Sequence, residues 1–397
     1  MDYFLNQLVL NTSEGHFIWP TMRTYEATHP WITFRWEPRR APYPLWLLLG
    51  EAVAMIRSLE QMPLLPEQLM QREELSLIYG IRAMAAMEGN SLTADQVGAV
   101  LRGQLRLAPS QRYLATEVDN LRKAIRSTVD RFRAGDRELA PWTIQLLHAH
   151  IQKGLPWEAD GGPGEFRSPL DGPEPAGGVP AAEVGVVMER LCAWLASERF
   201  LPEHEEERAA FALVRPFLAQ LYLLWIRPFA EGNMRVAWLV THQLLMEAGL
   251  PPALALLVAP KAAAVQQRHF REVKAAASGA GDPLPFLACM LRMLAEALQE
   301  EVHARQALQR EALARQFMEQ AFHDAPDAVA QRRRAVLDAL RNSPEPVPSE
   351  RIPHLTPKLA ATYARLDRKT LQRDIVFLQQ EGLVEREGRR LVARLGI

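Results

Sequence analysis

The 397-residue chain is short of cysteine, of net charge and of long apolar runs, and each shortage closes off a class of function. Its two cysteines, Cys192 and Cys289, fit no CxxC or Cys/His spacing, which excludes a disulfide framework or structural zinc site and points to a reducing compartment. Formal net charge is -1, from 46 Lys and Arg against 47 Asp and Glu. The overall balance therefore asks for neither nucleic acid nor a membrane surface, although charge can still be unevenly distributed. The first residues, MDYFLNQLVLNTSEGHF, place acidic and polar groups where a signal peptide needs a basic and then an apolar run. No segment offers the roughly 18 apolar residues of a spanning helix. A soluble cytoplasmic protein without membrane partners is the expectation.

What the sequence does have is helical periodicity. Apolar positions recur at three and four residues over 44–59, 66–87 and 94–103, and Thr93 with Gln96 spells a capping box at the start of the last. Ser110 is placed to cap a helix over 111–133, and Pro141 suits the first turn of one over 141–153. Residues 1–42 are aromatic and interrupted by prolines, an irregular arm with short strands expected around 32–36. Residues 154–180 hold seven glycines and six prolines, a long loop or short hairpin of the kind that often forms a lid. Helices resume over 181–198, 205–226 and 233–248. From 283 to about 324 nothing breaks the pattern, which allows either one rod of roughly 60 Å or two stacked helices. A rod of that kind suits homodimer pairing; a plain connector helix is the other reading.

The run IRPFAEGNMRVAW, 226–238, concentrates the chemistry. Gly232 and Asn233 sit where a loop enters a helix, and exposed amides at the positive end of a helix dipole attract anions. Arg235 can add a bidentate phosphate contact, and Glu231 can hold Mg2+ against the same phosphates. From spacing alone the same residues read first as a turn that starts a helix, with Arg235 solvated.

The run resembles the motif HPFx(D/E)GNGRxxR of the Fic family, whose members transfer AMP or a related phosphate moiety to protein hydroxyls. Pro228, Phe229, Glu231, Gly232, Asn233 and Arg235 match; Arg227, Met234 and Trp238 replace the histidine, the second glycine and the final arginine. The likeness extends over most of 30–250, through THPWITFRWEP, AAMEGNSLTADQV, the GEFR of the flap with Phe166 and Arg167, and QLYLLWI. It implies a mainly α fold, a helical core with a short β-hairpin flap, over 43–280. It also implies ATP or another nucleotide with Mg2+ as the ligand, and the departures from the motif bear on both. The family histidine is a general base, a task for a group titrating near neutrality, whereas the Arg227 guanidinium stays protonated below about pH 12. Losing a base costs roughly 10²- to 10⁴-fold in rate. Glu88, in AMEGN, resembles the family's inhibitory glutamate, but the arginine it would meet is Trp238, and Met84 stands where that motif has Ser or Thr. Glu88 is then expected either to pair with Arg227 or Arg235 and fill the anion site, or simply to end a helix.

After a connector over 281–330, residues 331–397 change style. The order helix, helix, helix, strand-turn-strand, with YARLDRKTLQRDIVFLQQEGLVEREG, resembles a bacterial winged-helix regulator. Lys369, Gln372 and Arg373 share one helix face opposite Leu371, Ile375 and Leu378, and Arg389 and Arg390 lie at the wing. From 332 to 397 there are 14 Lys and Arg against 8 Asp and Glu, a basic module that suits DNA phosphates. A winged helix used for protein contacts is the other reading, and Glu381, Glu385 and Glu387 lean that way. His148 and His150, two apart on a helix, cannot readily share a metal and read as core or surface residues. The functional expectation is a degenerate regulatory or DNA-binding Fic protein with a nucleotide or phosphate pocket. The alternative is an enzyme of altered chemistry in which Arg227 stabilises charge.

Overall fold

A computed structural model of the chain describes residues 23–156, 162–169, 177–200, 204–278, 281–322 and 327–393. The chain divides into two compact units, Met1–Glu301 and Val302–Ile397.

In the first unit the helices are α1 (Thr24–Thr28), α2 (Tyr43–Glu60), α3 (Pro66–Ala86), α4 (Ala94–Leu101), α5 (Arg112–Arg133), α6 (Pro141–Gln152), α7 (Val184–Leu195), α8 (Glu205–Ile226), α9 (Asn233–Glu247), α10 (Val258–Ala264) and α11 (Gln266–Ser278). Helix α12 (Leu284–Ala321) is one uninterrupted helix rather than two stacked ones. Its 38 residues correspond to about 57 Å.

Helices α8 and α9 pack against each other at the centre, and every side chain from Met234 to Met246 is buried. A helix buried on all sides, here with Arg235, Thr241, His242 and Gln243 among its buried residues, belongs in the middle of a bundle. Within α8, the segment Glu207–Ile226 reaches a mean hydropathy of 1.6 and is long and apolar enough to cross a membrane, contrary to the expectation that no segment is. Most of it is buried, with Phe217, Leu218, Leu221 and Tyr222 inaccessible, which is what a core helix also requires.

Sequence signals set several helix starts. Thr93 Oγ1 accepts the Gln96 amide at 3.3 Å while Gln96 Oε1 accepts the Thr93 amide at 2.9 Å, completing the capping box of α4. Ser110 does not cap α5: Pro109 opens a 3₁₀ turn through Gln111, and the helix begins after it with no side-chain cap. The stretch 32–36 forms no strand. Phe34 takes a φ of +50°, which breaks strand geometry, and the aromatic side chains turn into the helical core, Phe34 stacking on Tyr222 at 5.2 Å. The described part of the flap, 162–169, is likewise irregular rather than a hairpin. Residues 157–161 and 170–176 of the expected lid, and 1–22 of the N-terminal arm, lie outside the described residues.

The second unit orders α13 (Asp327–Arg341), β1 (Val347–Pro348), α14 (Pro357–Tyr363), α15 (Arg368–Gln380), β2 (Val384–Glu387) and β3 (Arg390–Ala393). The sheet is antiparallel in the order β1-β3-β2, with Val347 opposite Leu391 and Glu385 opposite Val392. Strand β1 lies inside the proline-rich SPEPVPS, which reads as a connector; proline is tolerated because β1 is an edge. Val336, Leu337, Leu359, Ile375, Leu378 and Leu391 build the core.

Asp374 lies within that core, 1% exposed. It accepts from Arg332 Nε (2.6 Å), Arg333 Nε (2.9 Å) and the Tyr363 hydroxyl (2.9 Å), tying α13, α14 and α15 together. Burial pushes its carboxyl up, but those hydrogen bonds outweigh burial and hold it below the usual range. Asp374→Ala would leave two largely buried guanidinium groups without this acceptor. A loss of about 3 kcal/mol is expected, read as reduced hydrogen-exchange protection of the α15 amides.

Candidate functional site

The centre of the site is the turn between α8 and α9. Proline disfavours helical geometry in the residue before it, so Pro228 ends α8 at Arg227. Arg227 takes φ +50° and ψ 65°, left-handed, and its amide closes the helix on the Leu223 carbonyl at 2.9 Å. For a residue other than glycine that geometry costs roughly 1–2 kcal/mol. The turn is then closed by Asn233, whose Oδ1 accepts the Phe229 amide (3.0 Å) and whose Nδ2 donates to the Phe229 carbonyl (2.7 Å). Gly232, at φ +73°, precedes α9, and a Cβ there would lie 2.9 Å from Gln152 Nε2 and 3.2 Å from Ile151 Cδ1. Gly232 and Asn233 thus shape the loop's backbone, whatever they bind.

Two residues pin the loop from outside. His148 on α6, read from sequence as a core or surface histidine, is buried with its ring stacked on Phe229 at 3.8 Å and 7°. Its Nδ1 accepts the Gly164 amide (2.9 Å), so Nε2 carries the proton and donates to the Glu231 carbonyl (3.1 Å), joining flap to loop. Burial pushes this imidazole down to about 4, the Glu231 bond opposing and the Arg235 charge assisting. Arg167, 4% exposed, donates through Nε to the Arg227 carbonyl (2.7 Å) and through Nη2 to the carbonyls of Ile226 (3.4 Å) and Val179. Its cation thereby sits at the negative end of α8. Phe166 packs on Phe229 at 5.4 Å. Both flap residues therefore serve the loop's conformation.

The anion site at the start of α9 is already filled. Glu88, in the turn after α3, accepts the amides of Met234 (2.9 Å) and Arg235 (3.3 Å) on Oε1 and the Arg235 guanidinium on Oε2. Arg235 is buried and not solvated, and a second acid, Glu117 on α5, lies 3.8 Å from its Nη1. Asn90 holds Glu117 in turn, donating to it at 2.6 Å. Of the two cations expected to meet Glu88, the one it meets is Arg235. The residue also lies in the turn just after α3 ends, so both sequence readings bear on one arrangement.

Trp238, at the position of the motif's last arginine, is 1% exposed. Its indole N–H points to Met87 Sδ at 3.2 Å and its ring stacks on the buried His269 at 6.1 Å. It faces the core. Glu231 is exposed, and among the described residues no three His, Cys, Asp or Glu side chains converge to hold a metal. Beside the loop opens a cleft of about 450 Å³ lined by Trp31, Met87, Trp225, Arg227, Glu231, Phe270 and Lys274, among others. These residues do not fit a nucleotide triphosphate held as the motif implies: a carboxylate occupies the amides, and the second phosphate cation is an indole.

No family model matches the chain. Over 205 residues, 51% of its length, it is 33% identical to the protein adenylyltransferase Fic of Drosophila grimshawi and 32% identical to that of Drosophila virilis. Among solved structures, a Fic family protein from Desulfovibrio desulfuricans G20 aligns at TM-score 0.54 and 22% identity, covering 91% of this chain and 99% of that one. A Fic domain containing signaling protein from Bacteroides thetaiotaomicron aligns at 0.52 and 17% identity, covering 66% and 98%. The chain carries a Fic domain. The residues that match the Fic motif, Pro228 to Arg235, lie in the first unit. The chain spans 38% of the length of these two Drosophila relatives, so their activity remains theirs. Glu117, Asn90 and His148 had no signal in the Fic motif. Each acts through a contact with a residue distant in sequence.

Two outcomes follow from this geometry. Glu88→Ala would expose the α9 amides and Arg235, costing about 2 kcal/mol. Inorganic phosphate should then raise the melting temperature of this variant and leave the unaltered protein nearly unchanged. His148, His242 and His269 are all pushed down to about 4, chiefly by burial. Their folded values lie below the ordinary value of about 6.5, so the stability they lend is complete above that pH and declines as pH falls toward 4. Melting temperatures recorded from pH 7.5 to 5 should decrease.

Proposed function

We propose that this chain is a regulatory, DNA-binding protein whose Fic domain has ceased to transfer AMP. The observation that carries the reading is the Glu88 carboxylate on the Met234 and Arg235 amides, in a loop where the base position is Arg227. Transfer of AMP to a hydroxyl needs a proton acceptor beside the target and a cradle for phosphate. Arg227 cannot accept a proton, and the cradle holds a side chain of the protein itself.

The DNA arm of the proposal is supported by the second unit, whose helices and three-stranded sheet follow the order of a winged helix. Lys369, Gln372 and Arg373 are exposed along one face of α15, and Arg389 and Arg390 are exposed at the β2-β3 turn. Leu371, Ile375 and Leu378 supply the opposite, core-facing stripe. The unit's excess of basic residues suits a phosphate backbone.

Incubation with ATP, Mg2+ and cell lysate should leave no mass adduct of AMP on this protein or any other. Arg227→His should stay equally silent, because Glu88, Met234 and Trp238 remain. Saturable ATP binding with an adduct would instead favour an enzyme of altered chemistry. In gel shifts on genomic fragments flanking its own gene, Arg373→Ala should weaken binding about tenfold. Raising salt from 50 to 200 mM should weaken the unaltered protein's binding by at least that factor.

A further inference from the structure

Helix α15 turns its apolar residues toward the core of the second unit, with one exception. Leu371, Ile375, Phe377 and Leu378 pack there, whereas Val376 keeps 44% of its surface exposed. A β-branched residue is a poor helix former, so an exposed valine at mid-helix adds neither propensity nor burial. Its surroundings are polar. Val376 lines a recess of about 500 Å³ together with Lys369, Gln372, Arg373 and Gln380, all of them exposed. Gln372, Val376 and Gln380 follow one another at four-residue intervals, which makes them a stripe along one face of the helix. The one acid within α15, Asp374, is buried and taken up by Arg332, Arg333 and Tyr363. This face therefore offers amides, cations and one branched apolar tip, and no carboxylate of its own.

We propose that Val376 reads the C5-methyl group of a thymine in the major groove of duplex DNA, close to an adenine read by Gln372. In that groove adenine presents one acceptor and one donor, which a glutamine amide matches bidentately, while thymine presents O4 and its methyl. The methyl is the apolar group of the base-pair edge, and cytosine has none. Four residues at 1.5 Å separate Gln372 from Val376 by about 6 Å along the helix axis, comparable with two base-pair steps of about 3.4 Å. The inference rests on the proposal that the second unit binds DNA, and it names the base chemistry that its helix selects.

The test uses the full chain and duplexes enriched by it from a random pool. Each thymine of an enriched duplex is replaced in turn by deoxyuridine, which keeps O4 and the base pairing and lacks only the methyl. At one thymine the replacement should weaken binding about fourfold, the worth of one buried methyl. Val376→Ala should lose about as much on the thymine duplex and respond no further to deoxyuridine, while Val376→Ile should keep the dependence. Gln372→Ala should relax the preference for adenine within two base pairs of that thymine about tenfold. The deoxyuridine arm alters no protein atom, so it stands whether or not a variant folds. Binding that no thymine methyl affects, or a methyl dependence that persists unchanged in Val376→Ala, would overturn the proposal. Failure to bind any duplex sinks the DNA reading and this inference together, whereas duplex binding indifferent to the methyl sinks this inference alone.

Discussion

A carboxylate at the start of a buried helix organises the first unit. Glu88 satisfies two amides of α9 that would otherwise have no acceptor, neutralises Arg235 and fastens the end of α3 to the centre of the bundle. Each hydrogen bond to a charged group is worth about 1.5–3 kcal/mol. The more important quantity is effective concentration. A carboxylate carried by the chain itself loses no translational freedom on binding, so an external phosphate competes with a ligand already in place. With Glu117 as second acid, Arg235 is surrounded by negative charge from the protein's own interior.

The loop next to this contact keeps the residues that give it its shape. Pro228 ends α8, Gly232 supplies a left-handed residue where a side chain would press on Gln152, and Asn233 closes the turn. The residues that differ from the Fic motif are those that would touch substrate or phosphate. The residues that set the backbone, Pro228, Gly232 and Asn233, all match the motif, whereas among the groups that would touch substrate or phosphate Glu231 and Arg235 match and positions 227 and 238 differ. His148 and Arg167 reinforce the first set, binding the carbonyls of Glu231, Arg227 and Ile226 that the turn leaves without helical partners.

Much of this was legible in the chain. Apolar spacing located the helices, Thr93 and Gln96 marked one start, and the six matching residues of the loop identified the Fic domain. The errors share a cause: a local pattern had two solutions, and distant packing chose between them. The aromatic alternation of 32–36 would suit a strand, but Tyr222 and Phe211 offered helix-side partners. Pro109 formed a turn of its own ahead of α5, so Ser110 had no amide to cap. The prolines of 346–348 hid an edge strand whose partner, β3, arrives some forty residues later.

The sequence by itself determined the charge at the base position, because a guanidinium's protonation is intrinsic and hardly depends on surroundings. Proline alone did not determine where α8 ends, since Pro216 is accommodated inside the helix and only Pro228 stands at its end. Only the tertiary structure decided which cation Glu88 meets, that Trp238 faces the core and that His148 holds the flap. Glu88 lies 147 residues from Arg235 and His148 lies 83 from Glu231. Contacts across such separations are set by how helices pack, a property of the whole bundle and not of any stretch of chain.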